Sequence, residues 1–139
     1  MRFKVPILVA FAGGFLVMSH PAIAHHGSAG YDNTKMTIVK ATITAWVFRN
    51  PHSELRFDVT EASGEVKHWA IEAPPTVMLV ERGWNNRSLK AGDAVTIHFN
   101  AARNGALAGI LRKVVMPNGE DLWAYPPPEL IEKLTTQPR

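Results

Sequence analysis

A chain of 139 residues, of which 46% are hydrophobic and 19% charged, is large enough for one hydrophobic core and too small for two. Its formal net charge of +3 is spread out, because no run of Lys and Arg is longer than the pair Arg112-Lys113, and this argues against a nucleic-acid-binding surface. The absence of cysteine excludes disulfides, thiolate metal ligands and a cysteine nucleophile.

Residues 1–24 have the pattern of a secretory signal peptide. Arg2 and Lys4 precede an apolar run over residues 5–18, and Ala22-Ile23-Ala24 supplies the small residues of a cleavage site. The run is shorter than the roughly 20 residues needed to span a bilayer, and no second run follows it. We therefore expect a periplasmic protein without a transmembrane segment in the mature chain, whose net charge would be about +1 after Arg2 and Lys4 are removed.

Residues 25–35 are rich in Gly, Ser and Asn and predict an irregular lead-in. A first strand is expected over residues 36–48, where alternation assigns five side chains to the interior: Val39, Ala41, Ile43, Ala45 and Val47. The same alternation places Trp46 and Phe48 outside. Two aromatic side chains there predict an exposed binding surface.

After the turn at Asn50-Pro51, a second strand is predicted with Leu55, Phe57 and Val59 inward, and a third over residues 66–72. A short helix over residues 77–82 with Thr76 as N-cap should follow.

Strand four is expected to point Val95, Ile97 and Phe99 inward and Thr96, His98 and Asn100 outward. Strand five, residues 108–116, should point Ile110 and Val114 to one side. A short segment over residues 121–124 and a Pro-rich tail over residues 125–139, a weak helix or disordered, end the chain.

Three meander strands, a short helix and two further strands predict an all-β domain with small α content. The expected domain is a five-stranded OB-type barrel over residues 36–124, with its helix between strands three and four. An open β-sandwich is the alternative.

Several short motifs together resemble a family of small exported bacterial proteins known only as a domain of unknown function. The motifs are Ala24-His25-His26-Gly27-Ser28, Asn50-Pro51-His52-Ser53, Trp69-Ala70-Ile71-Glu72, Arg82-Gly83-Trp84 and the run at residues 89–96. Members carry a His-His pair after the signal peptide and an N-P-H-S turn, and the resemblance covers essentially the whole mature chain. It implies a single periplasmic domain and no particular activity. Members often have an aromatic residue after each of the first two motifs, where this chain has Ser28-Ala29-Gly30 and Ser53-Glu54.

Three histidines form the candidate metal site. Cleavage after Ala24 would give His25 a free α-amine beside its imidazole, His26 adds a second imidazole, and His52 lies in the loop between strands one and two, on the usual ligand-binding side of OB barrels. Nitrogen ligands of this kind favour Cu(II), with Zn(II) and Ni(II) as competitors. The terminal histidine faintly resembles the histidine brace of copper monooxygenases, which implies metal affinity and no oxygen chemistry. Solvated terminal histidines and a loop-capping His52 are the alternative interpretation.

The remaining candidates are weaker. Glu72 at a strand end has the chemistry of a general base, but no nucleophile or second carboxylate stands at a motif spacing beside it, so ion pairing is its expected role. His68 and His98 are expected to face solvent, and Trp69 and Trp84 to lie in the core. The sequence thus favours a binding module for a metal ion or small ligand over an enzyme. An envelope protein that docks on a partner through Trp46 and Phe48, without metal, is the alternative.

Overall fold

The computed structural model describes residues 28–136. A 3-10 turn at Ser28–Gly30 precedes six strands and two α-helices. The strands are β1 (Thr37–Val47), β2 (Ser53–Thr60), β3 (Val66–Ala73), β4 (Ala94–Ala101), β5 (Ala108–Val115) and β6 (Asp121–Trp123). The helices are α1 (Thr76–Glu81) and α2 (Pro128–Thr136). Within the described residues, no helix has the length and apolar character needed to cross a bilayer.

The sheet closes on itself. Its strand order is β3-β2-β1-β4-β5-β6, and a parallel pairing of β3 with β5 joins the two sides into a five-stranded barrel. Helix α1 lies between β3 and β4, so the predicted barrel and the position of its helix are confirmed. The parallel pairing is three residues long, and at its centre a Cβ on Gly109 would come within 2.6 Å of the Asn100 carbonyl oxygen. Only glycine therefore fits there without displacing backbone.

Alternating apolar residues fill the barrel. Leu55 and Phe57 on β2 are fully buried, as predicted, and so are Ile97 and Phe99 on β4. Trp84, in the segment after α1, is also buried, and the partly buried Trp69 stacks on Phe57 with ring centroids 6.2 Å apart. The core assignment of both tryptophans is therefore confirmed.

A β-bulge changes the faces of β1. Ile43 pairs with Phe57, but Ala45 pairs with Arg56 and Trp46 with Leu55, so Thr44 is an extra residue on this strand. Directly paired residues share a face, and the bulge therefore turns Trp46 toward the side occupied by buried Leu55. The predicted outward position of Trp46 and Phe48 is wrong, because both pack against the core.

A second bulge does the same on β5. His98 pairs with Lys113 and Phe99 with Leu111, which leaves Arg112 as the extra residue. Leu111 is consequently buried together with Val114, whereas Ile110, which was predicted to share a side with Val114, is only half-buried. Asn100 was expected to face solvent, yet it is 3% exposed.

Helix α1 begins one residue earlier than predicted. Thr76 is its first residue, and its N-cap is Pro75, which provides no side-chain hydrogen bond. The helix ends at Glu81, before Gly83 adopts a φ of +84°. In the tail, α2 has Pro128 as its first residue, so the helical alternative is the one observed, and Ile131 is exposed.

Candidate functional site

The turn between β1 and β2 is fixed from both ends. Its Asn50–Pro51 peptide bond is cis, and Asn50 Oδ1 accepts hydrogen bonds from the backbone N–H and the hydroxyl of Thr76, at 3.0 and 2.9 Å. The Asn50 side chain thereby accepts a hydrogen bond from a backbone N–H at the start of α1. The sequence analysis had predicted that the Thr76 side chain would cap the helix in this way. Ser53 is fully buried, and its hydroxyl donates to the Arg49 carbonyl at 3.2 Å. These bonds hold the intervening His52 in one place.

His52 lies at a cleft of about 400 Å³, which we call the turn cleft. The residues that line it come from the turn and from the facing ends of β2 and β3: Arg49, Asn50, Pro51, His52, Ser53, Glu54 and Glu72. Glu54 and Glu72 are direct cross-strand partners, and Glu54 also forms a solvent-exposed ion pair with Arg56 Nε at 2.5 Å, which offsets its charge only in part. Across residues 28–136 no group of three or more His, Asp or Glu side chains could hold a metal ion. A metal at the turn cleft would need ligands from elsewhere.

The lead-in is anchored to the end of β4. Tyr31 forms an isolated β-bridge with Ala102, and the Gly30 carbonyl accepts a hydrogen bond from the Arg103 N–H at 3.0 Å. The Ala102 N–H donates to the Ala108 carbonyl, and Ala108 pairs with Ala70, two residues before Glu72 on β3. Burial and, second, the negative charge of Glu72 raise the pKa of the Tyr31 phenol above its usual range. His25 and His26 lie outside the described residues.

Comparison with known proteins places the chain in a family. The family model described as "Family of unknown function (DUF6152)" matches residues 14–112, which is most of the chain. The protein belongs to DUF6152. The matched range includes His25, His26, His52 and Glu72, and it ends at Arg112. No curated protein and no solved structure matches. The assignment to a family of unknown function is thus confirmed, and it brings no activity with it.

In this DUF6152 protein, Trp46 and Phe48 do not form an exposed platform. Both rings are half-buried, and Trp46 lies with its centroid 5.2 Å from that of buried Trp84. The Trp46 indole N–H donates to the Asn85 carbonyl at 3.0 Å. The aromatic pair therefore contributes to the core. The exposed large apolar side chains in the described region are instead Met36, Ile38, Val66, Val77, Val80, Leu107 and Ile131.

The two strand histidines differ. His68 has 78% of its side chain exposed and contacts Asp58 Oδ1 at 2.6 Å, so its predicted position is confirmed. His98 is only half-buried beside Lys113. Burial and then the positive charge of Lys113 lower the pKa of His98, while Asp121 acts in the opposite direction.

A polar cluster surrounds Arg112, and the sequence analysis did not predict it. The Arg112 Nε donates to Asn100 Oδ1, and Nη2 donates to Asn33 Oδ1 at 3.2 Å. The guanidinium carbon lies 5.2 Å from the centroid of the Tyr125 ring. The cluster was missed because the bulge at Arg112 leaves no Gly or Pro signal in the sequence, and because partners 12 to 79 residues apart follow no local spacing.

Proposed function

We propose that this DUF6152 protein is a periplasmic binding module that holds one divalent copper ion through His25, His26 and His52. Cleavage after Ala24 would add the α-amine of His25 as a fourth nitrogen ligand. Nitrogen donors favour Cu(II) among the divalent metals, with Zn(II) and Ni(II) as weaker competitors.

The observation that carries the proposal is the position of the lead-in relative to the turn cleft. His52 and Glu72 line the same cleft, and Tyr31 is linked through Ala102 and Ala108 to β3, the strand that carries Glu72. Four residues separate His26 from Tyr31. Because Ser28–Gly30 form a 3-10 turn, which rises about 2 Å per residue, the chain reaches at most about 13 Å from Tyr31 to His26. We infer that the first two histidines approach the cleft along this path.

The described residues also explain why the turn cleft would need the N-terminus. They supply one imidazole, from His52, and the carboxylate of Glu72, whose cross-strand partner Glu54 is already paired with Arg56. Two like charges directly opposite each other are unfavourable in a sheet, and a nearby cation would relieve that repulsion. Glu72 would accordingly strengthen cation binding without being required for the nitrogen site.

A docking module is the second candidate class, and the geometry supports it less. Its proposed anchors, Trp46 and Phe48, are engaged within the protein. The Trp46 ring centroid lies 5.2 Å from that of Trp84 and 5.9 Å from that of Phe48. Interface anchors must be available to a partner.

Calorimetric titration of Cu(II) into protein that begins at His25 tests the proposal. We expect one ion per chain, and we expect His52→Ala to weaken binding by roughly tenfold or more, which corresponds to about 1.4 kcal/mol. A form with one added residue before His25 should also bind more weakly, because the primary amine is displaced. Affinity should fall below pH of about 6.5, since the ligands must be unprotonated.

His68→Ala is the matched control, because His68 is a solvent-facing histidine on β3 outside the turn cleft. It should bind copper as the parent protein does. Equal affinities for the parent, His52→Ala and the extended form would show that the histidines do not form one site.

A further inference from the structure

A second depression lies between the lead-in, β6 and the prolines that follow it. We call it the proline groove. Its volume is about 570 Å³, within the range of about 300–1,000 Å³ typical of small-molecule sites. The residues that line it come from the lead-in, the barrel and the segment around β6: Asn33, Thr34, Met36, Asn100, Arg112, Trp123, Tyr125, Pro126, Pro127 and Pro128. Neither His52 nor Glu72 belongs to it.

Arg112 is positioned in this groove by the fold. It is the extra residue of the β5 bulge, and bulges redirect a side chain relative to regular alternation. Asn100 is 3% exposed, and its side-chain oxygen accepts the hydrogen bond from Arg112 Nε. The Asn100 amide nitrogen donates to the carbonyls of Asp32 and Lys35, each at 2.9 Å. Because every Asn100 polar atom is occupied, the guanidinium has a fixed orientation before any ligand arrives.

Among the described residues 28–136, no carboxylate forms an ion pair with Arg112. Arg112 is the one charged side chain in the described lining of the proline groove, and its two side-chain hydrogen bonds go to neutral amides. A guanidinium has five N–H donors, so three are left for another acceptor. Arg82 adds positive potential nearby, with its guanidinium carbon 5.6 Å from the centroid of the same Tyr125 ring.

We propose that the proline groove binds the carboxylate of a small molecule with a flat apolar body. The remaining N–H groups of Arg112 would take the carboxylate in the bidentate geometry that guanidinium favours. The ring of Trp123, Tyr125 and the three prolines would contact the apolar body. This ligand class follows from a half-buried cation in a groove that is also lined by two aromatic and three proline rings, and it is independent of the copper proposal.

Benzoate is a suitable probe, and benzamide is its neutral counterpart of the same shape. In 1H–15N spectra of the full mature chain, benzoate should produce saturable shifts of the Arg112 Nε–H and the Trp123 indole resonances. Benzamide at the same concentrations should leave both in place. Equal shifts with the two probes, or benzoate shifts that map elsewhere, would overturn the proposal, since the carboxylate would then not be recognised by Arg112.

Met36 offers a test that leaves the Arg112 cluster intact. Its side chain lines the proline groove and is 46% exposed, so we expect a polar substitution to leave the fold intact. Met36→Glu should weaken benzoate binding at least about threefold through charge repulsion, whereas Met36→Gln should change it less. Identical benzoate affinities for the two variants would reject an anion site in this groove. This test does not require a substitution of Arg112, which could disturb the fold.

Discussion

At the scale of single residues, His98 is a histidine whose charged form is disfavoured. Burial and the neighbouring Lys113 lower its pKa, and Asp121 only partly offsets them. The unfolded chain therefore binds a proton more readily, and the stabilisation associated with neutral His98 is complete above its ordinary pKa of about 6.5. This stabilisation is lost as the pH falls through the lower pKa that His98 has in the folded protein.

NMR titration of the His98 imidazole should give a midpoint below the ordinary histidine value of about 6.5. Lys113→Gln should raise the His98 midpoint, because the repelling charge is removed. A His98→Gln variant should lose less stability than the parent between neutral and mildly acidic pH. A His98 midpoint at or above about 6.5 would contradict the expected desolvation.

At the scale of elements, the alternation of inward and outward side chains predicts the two faces of a strand correctly until a bulge interrupts it. On β2 no bulge occurs, and Leu55 and Phe57 lie where alternation places them. On β1 and β5 the extra residues Thr44 and Arg112 reverse the pattern, so Trp46 was assigned to the wrong face, and Ile110 does not share a face with Val114. The position of a bulge depends on the partner strand, which the local sequence does not report.

The β2 assignment leads to a stability prediction. Leu55→Ala or Phe57→Ala should lower the free energy of unfolding by about 2 to 5 kcal/mol, because each removes fully buried volume and leaves a cavity. Arg56→Ala is the matched control from the same strand, and the loss of its exposed pair with Glu54 should cost less than about 1 kcal/mol. Urea unfolding curves measure all three, and similar small losses would reject the buried assignment of Leu55 and Phe57.

At the scale of the whole molecule, closure of the barrel decides which candidate residues meet. The pairing of β2 with β3 sets Glu72 opposite Glu54, beside the turn that carries His52, a proximity that sequence spacing alone did not show. The histidine in the β1–β2 turn could be recognised from the sequence, since Asn-Pro marks the turn. The Arg112 cluster could not, because it requires Asn33, Asn100 and Tyr125 to converge from three segments.

The copper proposal depends on where the mature chain begins, and this gives the last prediction. The small residues at Ala22 and Ala24 predict cleavage that leaves His25 first, so intact-mass measurement of periplasmic protein should give a chain of residues 25–139. Ala24→Phe should block cleavage at this position, because the peptidase requires a small residue there, whereas Ala29→Phe should be processed normally. A mature species that retains Met1 or begins beyond His26 would remove the α-amine of His25 from the site. The turn cleft, formed entirely within residues 28–136, would then supply only His52 and the carboxylates beside it.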